Sequence, residues 1–350
     1  MKSISCVRDD LAEHQTRISR ITVPVTAIDF DDVDHLIVGS DRFRLGDRAL
    51  RTFARLSDTP ATFMAKRDPD VRGFLFRRLY PEHAEAKWGK ATMSLVLLDG
   101  TLVKGVVDPD LALLEGSEVL EAALSVCPEE IDEGRFEVED VCFNGDLHVS
   151  FTSPQLQTSP RVGDVVQAGL HVGHSDTAEF ATRICSYLLR LACENGMVVP
   201  VCQHTSIETA SRIRRASAGN RALTLQRIED MAATAWQELP AKMKAVEILA
   251  RERAHNSADL VRSIGVKLRF PDRLVTELID ALDDDELPRS GTLWDVVGAF
   301  SRVGTHSDRL SRQTRLYLQE TSGQLIQERV DLCPRCGAVN TGNIKYLPRR

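Results

Sequence analysis

Met93-Ser94-Leu95-Val96-Leu97-Leu98, then Asp99-Gly100, then Thr101-Leu102-Val103-Lys104-Gly105-Val106-Val107 is the stretch whose reading decides the fold. Two runs rich in Val and Leu flank a dipeptide that tolerates positive φ at both positions. That is the chemistry of a type I′ turn, so the stretch predicts an antiparallel β-hairpin. A second hairpin is expected from Phe136–Phe143 and Leu147–Thr152 through Asn144-Gly145-Asp146, with a helix over Ser117–Cys127 between the two. Upstream, Ile21–Ile28 alternates and is β-branched, and Pro24 marks it as an edge strand or a strand start. His35–Gly39 reads as a short strand and Asp47–Leu56 as a helix carrying Leu50, Phe53, Ala54 and Leu56 at helical spacing. Val162–Val172 is a further strand.

Downstream the period changes. Phe180, Ile184, Leu188 and Leu191 share a helical face, and Asn195-Gly196 reads as that helix's C-cap with positive φ at Gly196 and Cys193 in the core. Leu225, Ile228, Ala232, Ala235, Trp236 and Leu239 form a stripe ending at Pro240, and helices fit Met243–Arg253, Asp272–Leu282, Thr292–Val303 and Asp308–Val330. The expected architecture is therefore α+β: an N-terminal antiparallel sheet with packed helices, then a helical C-terminal region. The expected boundaries are 1–205, 206–330 and a tail over 331–350.

A chain of 350 residues is long for one core and suggests more than one module. No apolar run reaches the roughly 20 residues of a membrane helix. The N-terminus turns charged too early for a signal peptide, so the expected location is the cytoplasm. Most of the eight cysteines stand singly among apolar residues, as buried thiols do in a reducing compartment.

The formal net charge of −7 argues against a generic DNA-coating protein, but the charge is divided. Residues 108–146 carry thirteen acids and one base, whereas residues 211–273 carry thirteen Lys/Arg and seven acids. That division suggests acidic-to-basic contact between copies, hence a homo-oligomer. Clustered arginine is also the electrostatic footprint of phosphate binding. On a helix expected over 206–218, Arg212 and Arg215 share a face, Arg214 points away, and Arg221 can join them after Gly219-Asn220.

Four stretches carry a resemblance. Leu45–Lys66 is a helix followed by Asp58-Thr59-Pro60-Ala61-Thr62-Phe63-Met64; Leu97–Leu120 is a hairpin and a helix. Leu188–Val199 reads Leu-Leu-Arg-Leu-Ala-Cys-Glu-Asn-Gly-Met-Val-Val, with His204-Thr205 beyond it, and Thr292–Val303 is a late helix. In this order they resemble the phage/plasmid-like proteins of unknown function, although Gln203 stands where a basic residue is usual. The resemblance implies residence on a mobile element and no known catalytic residue.

Cys333-Pro334-Arg335-Cys336-Gly337 has the spacing of a knuckle that offers two thiolates to one zinc ion, with Cys202 and His204 or a second subunit as sources of the remaining ligands. His171-x-x-His174-x-Asp176 has ligand types at close spacing and opens the alternative of a metal-dependent hydrolase. Neither a P-loop, a Rossmann glycine motif nor a G-x-S-x-G elbow is present. Aromatic residues are sparse at 5%, and the one basic–aromatic interleaving, Phe74, Phe76, Tyr80 and Trp88 among Arg72, Arg77, Arg78, Lys87 and Lys90, reads as core side chains with solvated bases. The expected function is a nucleic-acid-binding accessory protein of a mobile element, in replication or single-strand annealing. The alternatives are a non-catalytic interaction factor acting on a host process and the hydrolase.

If Cys333 and Cys336 are ligands, the purified protein contains zinc and Cys336→Ser loses it, as read by elemental analysis. Metal-free protein of unchanged stability would remove the site.

Overall fold

The structure, a computed structural model, describes residues 3–111, 114–127, 135–139, 146–175, 177, 182–191, 195–199, 221–254, 256–283, 291–327, 331–332 and 339–340. Its class is α+β, with a helical C-terminal region as expected.

The chain opens with a helix absent from the sequence reading, α1 (Ile4–Arg17), capped by the Ser3 side chain. Then follow β1 (Ile18–Pro24), β2 (Ile28–Phe30), β3 (Leu36–Val38), β4 (Asp41–Leu45), α2 (Asp47–Leu56), the single turn α3 (Ala61–Met64) and α4 (Pro69–Trp88). The expected hairpin is β5 (Thr92–Leu98) with β6 (Leu102–Val107), and Asp99 and Gly100 do take positive φ, 52° and 64°. Strand order in this six-stranded sheet is β1-β5-β6-β4-β3-β2, and Pro24 closes its edge strand, where a missing N–H costs no ladder bond. The sheet is mixed rather than purely antiparallel, because β4 runs parallel to β6 (Arg44↔Leu102, Leu45↔Val103). The helical segment between those strands supplies the crossover that a parallel pair requires.

An aromatic knot closes one face of this sheet. Phe30 stacks on Phe76 at 4.7 Å between centroids and meets Phe53 and Tyr80 edge-on, each at 5.4 Å. The Tyr80 hydroxyl donates to the Val25 carbonyl at 3.1 Å, so its burial leaves no unmet donor. Helix α4 can approach this closely because position 73 is glycine: a Cβ there would lie 2.4 Å from the Asp31 carbonyl oxygen.

The second sheet holds α5 (Gly116–Leu124), β7 (Arg135–Glu139), β8 (Asp146–Arg161), β9 (Asp164–Ser175), β10 (Arg183–Arg190) and β11 (Asn195–Val199) around it, in the antiparallel order β11-β10-β9-β8-β7. Here the helix expected through Ile184 and Leu188 is corrected. Residues 183–190 are a strand paired with both neighbours, and Gly196 is a ladder residue opposite Leu189 rather than a helix cap. The strand has apolar residues on both faces, so Ile184 and Leu188 satisfy a spacing of four as well as a period of two. Cys193 lies outside the described residues, as does the helix expected over 206–218.

Among the described residues six helices follow: α6 (Arg221–Gln237), α7 (Leu239–Leu249), α8 (Ser257–Leu268), α9 (Asp272–Asp283), α10 (Leu293–His306) and α11 (Arg312–Ile326). They do not stand apart from the sheet. Val149, Phe151, Leu170, Val172 and Ile184 pack with α1, α5 and α6, while Val166, Ala168 and Leu188 of the same sheet join a core with α7 through α11. A short pair, β12 (Asp331–Leu332) and β13 (Val339–Asn340), ends the described chain. The two sheets meet where Thr177 packs on β6: a Cβ at Gly105 would come within 2.6 Å of the Thr177 side chain, and Arg48 donates to Thr177 at 3.1 Å.

At the start of β9, the Asp164 carboxylate accepts from Arg190 Nε at 2.6 Å and from Trp294 Nε1 at 2.9 Å, all three side chains being buried. Removing the anion would strand a buried guanidinium. Asp164→Ala is therefore expected to cost about 3–5 kcal/mol in urea unfolding, a large part of the roughly 5–15 kcal/mol that stabilises an ordinary domain. A loss below about 1 kcal/mol would mean that the guanidinium finds another partner.

Candidate nucleic-acid interface

Cations attract phosphate only where no carboxylate already cancels their field. In the N-terminal half many described cations are cancelled, although the exposed Arg44, Arg55 and Lys66 form no ion pair among the described residues. Arg8 binds Glu121 at 2.6 Å, Arg17 binds Asp99 at 2.7 Å, Arg72 binds Asp34 at 2.6 Å, and Arg77 and Lys87 bind Asp32 and Asp58. Lys90 bridges Asp108 and Asp110 at 2.6 and 2.9 Å. The expected interleaving of bases with aromatic side chains is thus largely structural: Phe76 and Tyr80 are core, and Trp88 Nε1 donates to the Thr92 carbonyl at 2.8 Å. Phe74 departs from that expectation, with 68% of its surface exposed.

A further run of such cations lies beyond residue 240. Lys244, Arg251, Arg253, Lys267 and Arg273 are exposed, and none of them forms an ion pair among the described residues. Helical spacing accounts for part of the arrangement. Lys244 and the exposed Ile248 follow one another on the solvent side of α7, with Arg251 one turn further along the chain, while Lys242 faces inward, donating to Ser186 and Glu238 at 2.6 Å each. Lys267 stands in the last turn of α8 and Arg273 in the first turn of α9, on either side of a corner that forces Arg269 into positive φ at 60°.

The positions singled out in the sequence fall as follows. Arg212, Arg214 and Arg215 lie outside the described residues. Arg221 opens α6 and grips Glu118 of α5 with two bonds, Nε to Oε1 at 3.0 Å and Nη2 to Oε2 at 2.5 Å. This bonding to Glu118 raises the Arg221 pKa above the ordinary arginine value. Cys333 and Cys336 lie outside the described residues too, together with Cys202 and His204. Their flanks are described: Leu332 and Val339 pair, so the Cys-x-x-Cys stretch connects two antiparallel strands. Among the described residues no group of three or more His, Cys, Asp or Glu side chains is arranged to hold a metal ion.

His171 and His174 are not brought together. Three residues apart on a strand, they face opposite sides of the sheet. His174 is held at both ring nitrogens, Nδ1 with the Thr182 hydroxyl and Nε2 with the Leu114 carbonyl, at 2.9 Å each, which makes it a structural clamp between β9, β10 and the segment before α5. His171 Nδ1 meets the Ser150 hydroxyl at 2.8 Å and its ring lies 5.7 Å from that of His148. Asp176 lies outside the described residues.

The sequence reading named the segment 211–273 as basic but placed its weight on Arg212, Arg215 and Arg221. It missed Lys244, Arg251, Arg253, Lys267 and Arg273, because whether a cation is neutralised depends on packing. Alternation of cations with exposed positions on α7 was the available signal.

Comparison with protein-family models, curated proteins and solved structures returns no match to the chain.

The Arg221–Glu118 pair is half-exposed on the arginine side, so it contributes little to stability. Glu118→Gln is expected to shift unfolding by less than about 1 kcal/mol in urea titration.

Proposed function

We propose that the protein is a nucleic-acid-binding accessory factor, acting in the cytoplasm in replication or single-strand annealing of a mobile element, and that it binds by charge with little regard to sequence. The observation that carries this reading is the run of exposed cations on α7, on the loop after it and at the α8–α9 corner, none of which forms an ion pair among the described residues. Unpaired cations displace condensed counterions from a phosphate backbone, and that release is the main source of sequence-independent affinity. Placement of the basic segment after the five-stranded sheet sets these helices on a rigid core, so the charges are held apart at fixed spacing instead of on a flexible tail. Arg212 and Arg215 belong to the same basic segment of the sequence. The resemblance to phage/plasmid-like proteins supports the mobile-element setting.

The test is binding of single- and double-stranded DNA at two salt concentrations. For the unmodified protein, affinity falls steeply with salt, by about 0.7 units of log–log slope for each phosphate neutralised on single strands. The variant Lys244→Gln, Arg251→Gln, Lys267→Gln, Arg273→Gln is expected to weaken binding similarly on all sequences. It should also flatten that slope by about 0.7 units on single strands and about 0.9 on duplex for every phosphate no longer neutralised, and Arg212→Ala with Arg215→Ala should act in the same direction. Absence of binding at about 50 mM salt, where electrostatic association is strong, would overturn the proposal in favour of the non-catalytic interaction factor.

A further inference from the structure

One surface is not accounted for by nucleic-acid binding. At the α3–α4 corner, Phe74 is 68% exposed and Phe63 and Val71 are each 39% exposed, an uncommon concentration of large apolar side chains in solvent. The Arg67 guanidinium stacks over the Phe63 ring at 4.2 Å. Carboxylates stand among the cations here: Asp70 and Glu82 share the solvent side of α4 with Arg78. A phosphate backbone would be repelled by those acids, so the charge pattern points to a protein surface instead.

The order of the charges identifies which protein. Asp70 stands four residues before Phe74 and Arg78 four residues after it, so acid, aromatic ring and base follow one stripe of a 20-residue helix. Asp70 forms no hydrogen bond or ion pair among the described residues, and Arg78 has only a 3.9 Å approach to Glu82 with most of its side chain in water. A two-fold axis through Phe74 lays α4 antiparallel to α4 of a second copy. Each residue then faces the one equally far on the other side of Phe74. Arg78 meets Asp70 of the second copy, and Phe74 meets Phe74. The pattern is complementary to itself, which is the requirement of an isologous interface. We propose that the exposed face of α4 is a homodimer interface centred on Phe74, its occupant a second copy of this chain. One face of a single 20-residue helix with a few large side chains offers less surface than the roughly 800 Å² per partner of a standard interface, so the dimer is a weak one that dissociates on dilution.

Sedimentation velocity over roughly 1–100 µM protein, spanning weak association, tests this on the full chain. The unmodified protein is expected to shift from monomer to dimer with concentration, and Phe74→Ser to remain monomeric. Arg78→Asp places like charges opposite one another and should weaken association by about tenfold or more. The double variant Asp70→Arg with Arg78→Asp restores both pairs with reversed sign and should recover association. All three positions are exposed, and unchanged melting of each variant verifies that the fold is intact. A monomer throughout the range, a dimer indifferent to Phe74→Ser, or a double variant no better than Arg78→Asp alone would each overturn the proposal, the first leaving the patch to a different protein.

Discussion

The buried contact of Asp164 with Arg190 and Trp294 is the constraint on which the rest of the arrangement hangs. Taking a guanidinium out of water costs several kcal/mol unless a carboxylate meets it in good geometry. Here that carboxylate comes from the first residue of β9, the guanidinium from the last of β10, and the second donor from α10. Position 298 on α10 is glycine, and a Cβ there would stand 3.3 Å from Arg190 Nη1, so the helix leaves room for the charged group. The same end of the sheet is fastened again by Arg161 to Asp295 at 2.7 Å and by Thr158 to Glu247 at 2.6 Å. Apolar side chains alone would hold the helices against the sheet with similar energy. What polar contacts add is register, because a one-residue slip of β9 or β10 would carry the charges to the wrong face and leave both unpaired.

The division of charge along the chain resolves into two different situations once the packing is known. Four acids of its acidic part are answered among the described residues: Glu118 by Arg221, Glu121 by Arg8, Asp108 and Asp110 by Lys90. The Glu118 and Glu121 contacts tie α5 to the helices that flank it, so these two charges act as fastening rather than field. The basic part is answered less completely, and what remains is displayed on α7 and at the α8–α9 corner. A net charge of −7 therefore coexists with a run of exposed cations that form no ion pair among the described residues.

Legibility in the sequence followed physical rules that differ by element. The β5–β6 hairpin was readable because its turn demands residues that few other structures want, and Asp99-Gly100 supplies them. Helices with one wide apolar face, such as α2 and α9, were readable from their period. Strand β10 was not, because a sheet covered on both faces erases alternation. Helix α4 escaped for a different reason: its inner face is the narrow series Gly73, Phe76, Tyr80 and Ala84, half of it small residues, and Pro81 stands inside it. Helix α1 hides because its buried stripe of Ile4, Val7, Leu11 and His14 includes a polar residue. At the candidate interface the identity of the basic segment was legible and the choice of residues within it was not. An arginine that pairs with a distant glutamate looks in sequence like one that does not.

The pairing of β1 with β5 sets the order in which this molecule can be assembled. Ile18 through Pro24 meet Thr92 through Leu98, so the first strand made has no partner until some 74 further residues have been synthesised, about 4–15 s at ordinary rates of elongation. Strand β4 pairs with β3 at once but must await β6 on its other edge. The second sheet is built the other way, from strands that are neighbours in sequence as well as in the sheet, so each can find its partner soon after it appears. During those seconds the Ile21 and Val23 side chains have no sheet to enter. The nascent N-terminal half is thus the portion of this chain most dependent on protection at the ribosome, even though it comes first.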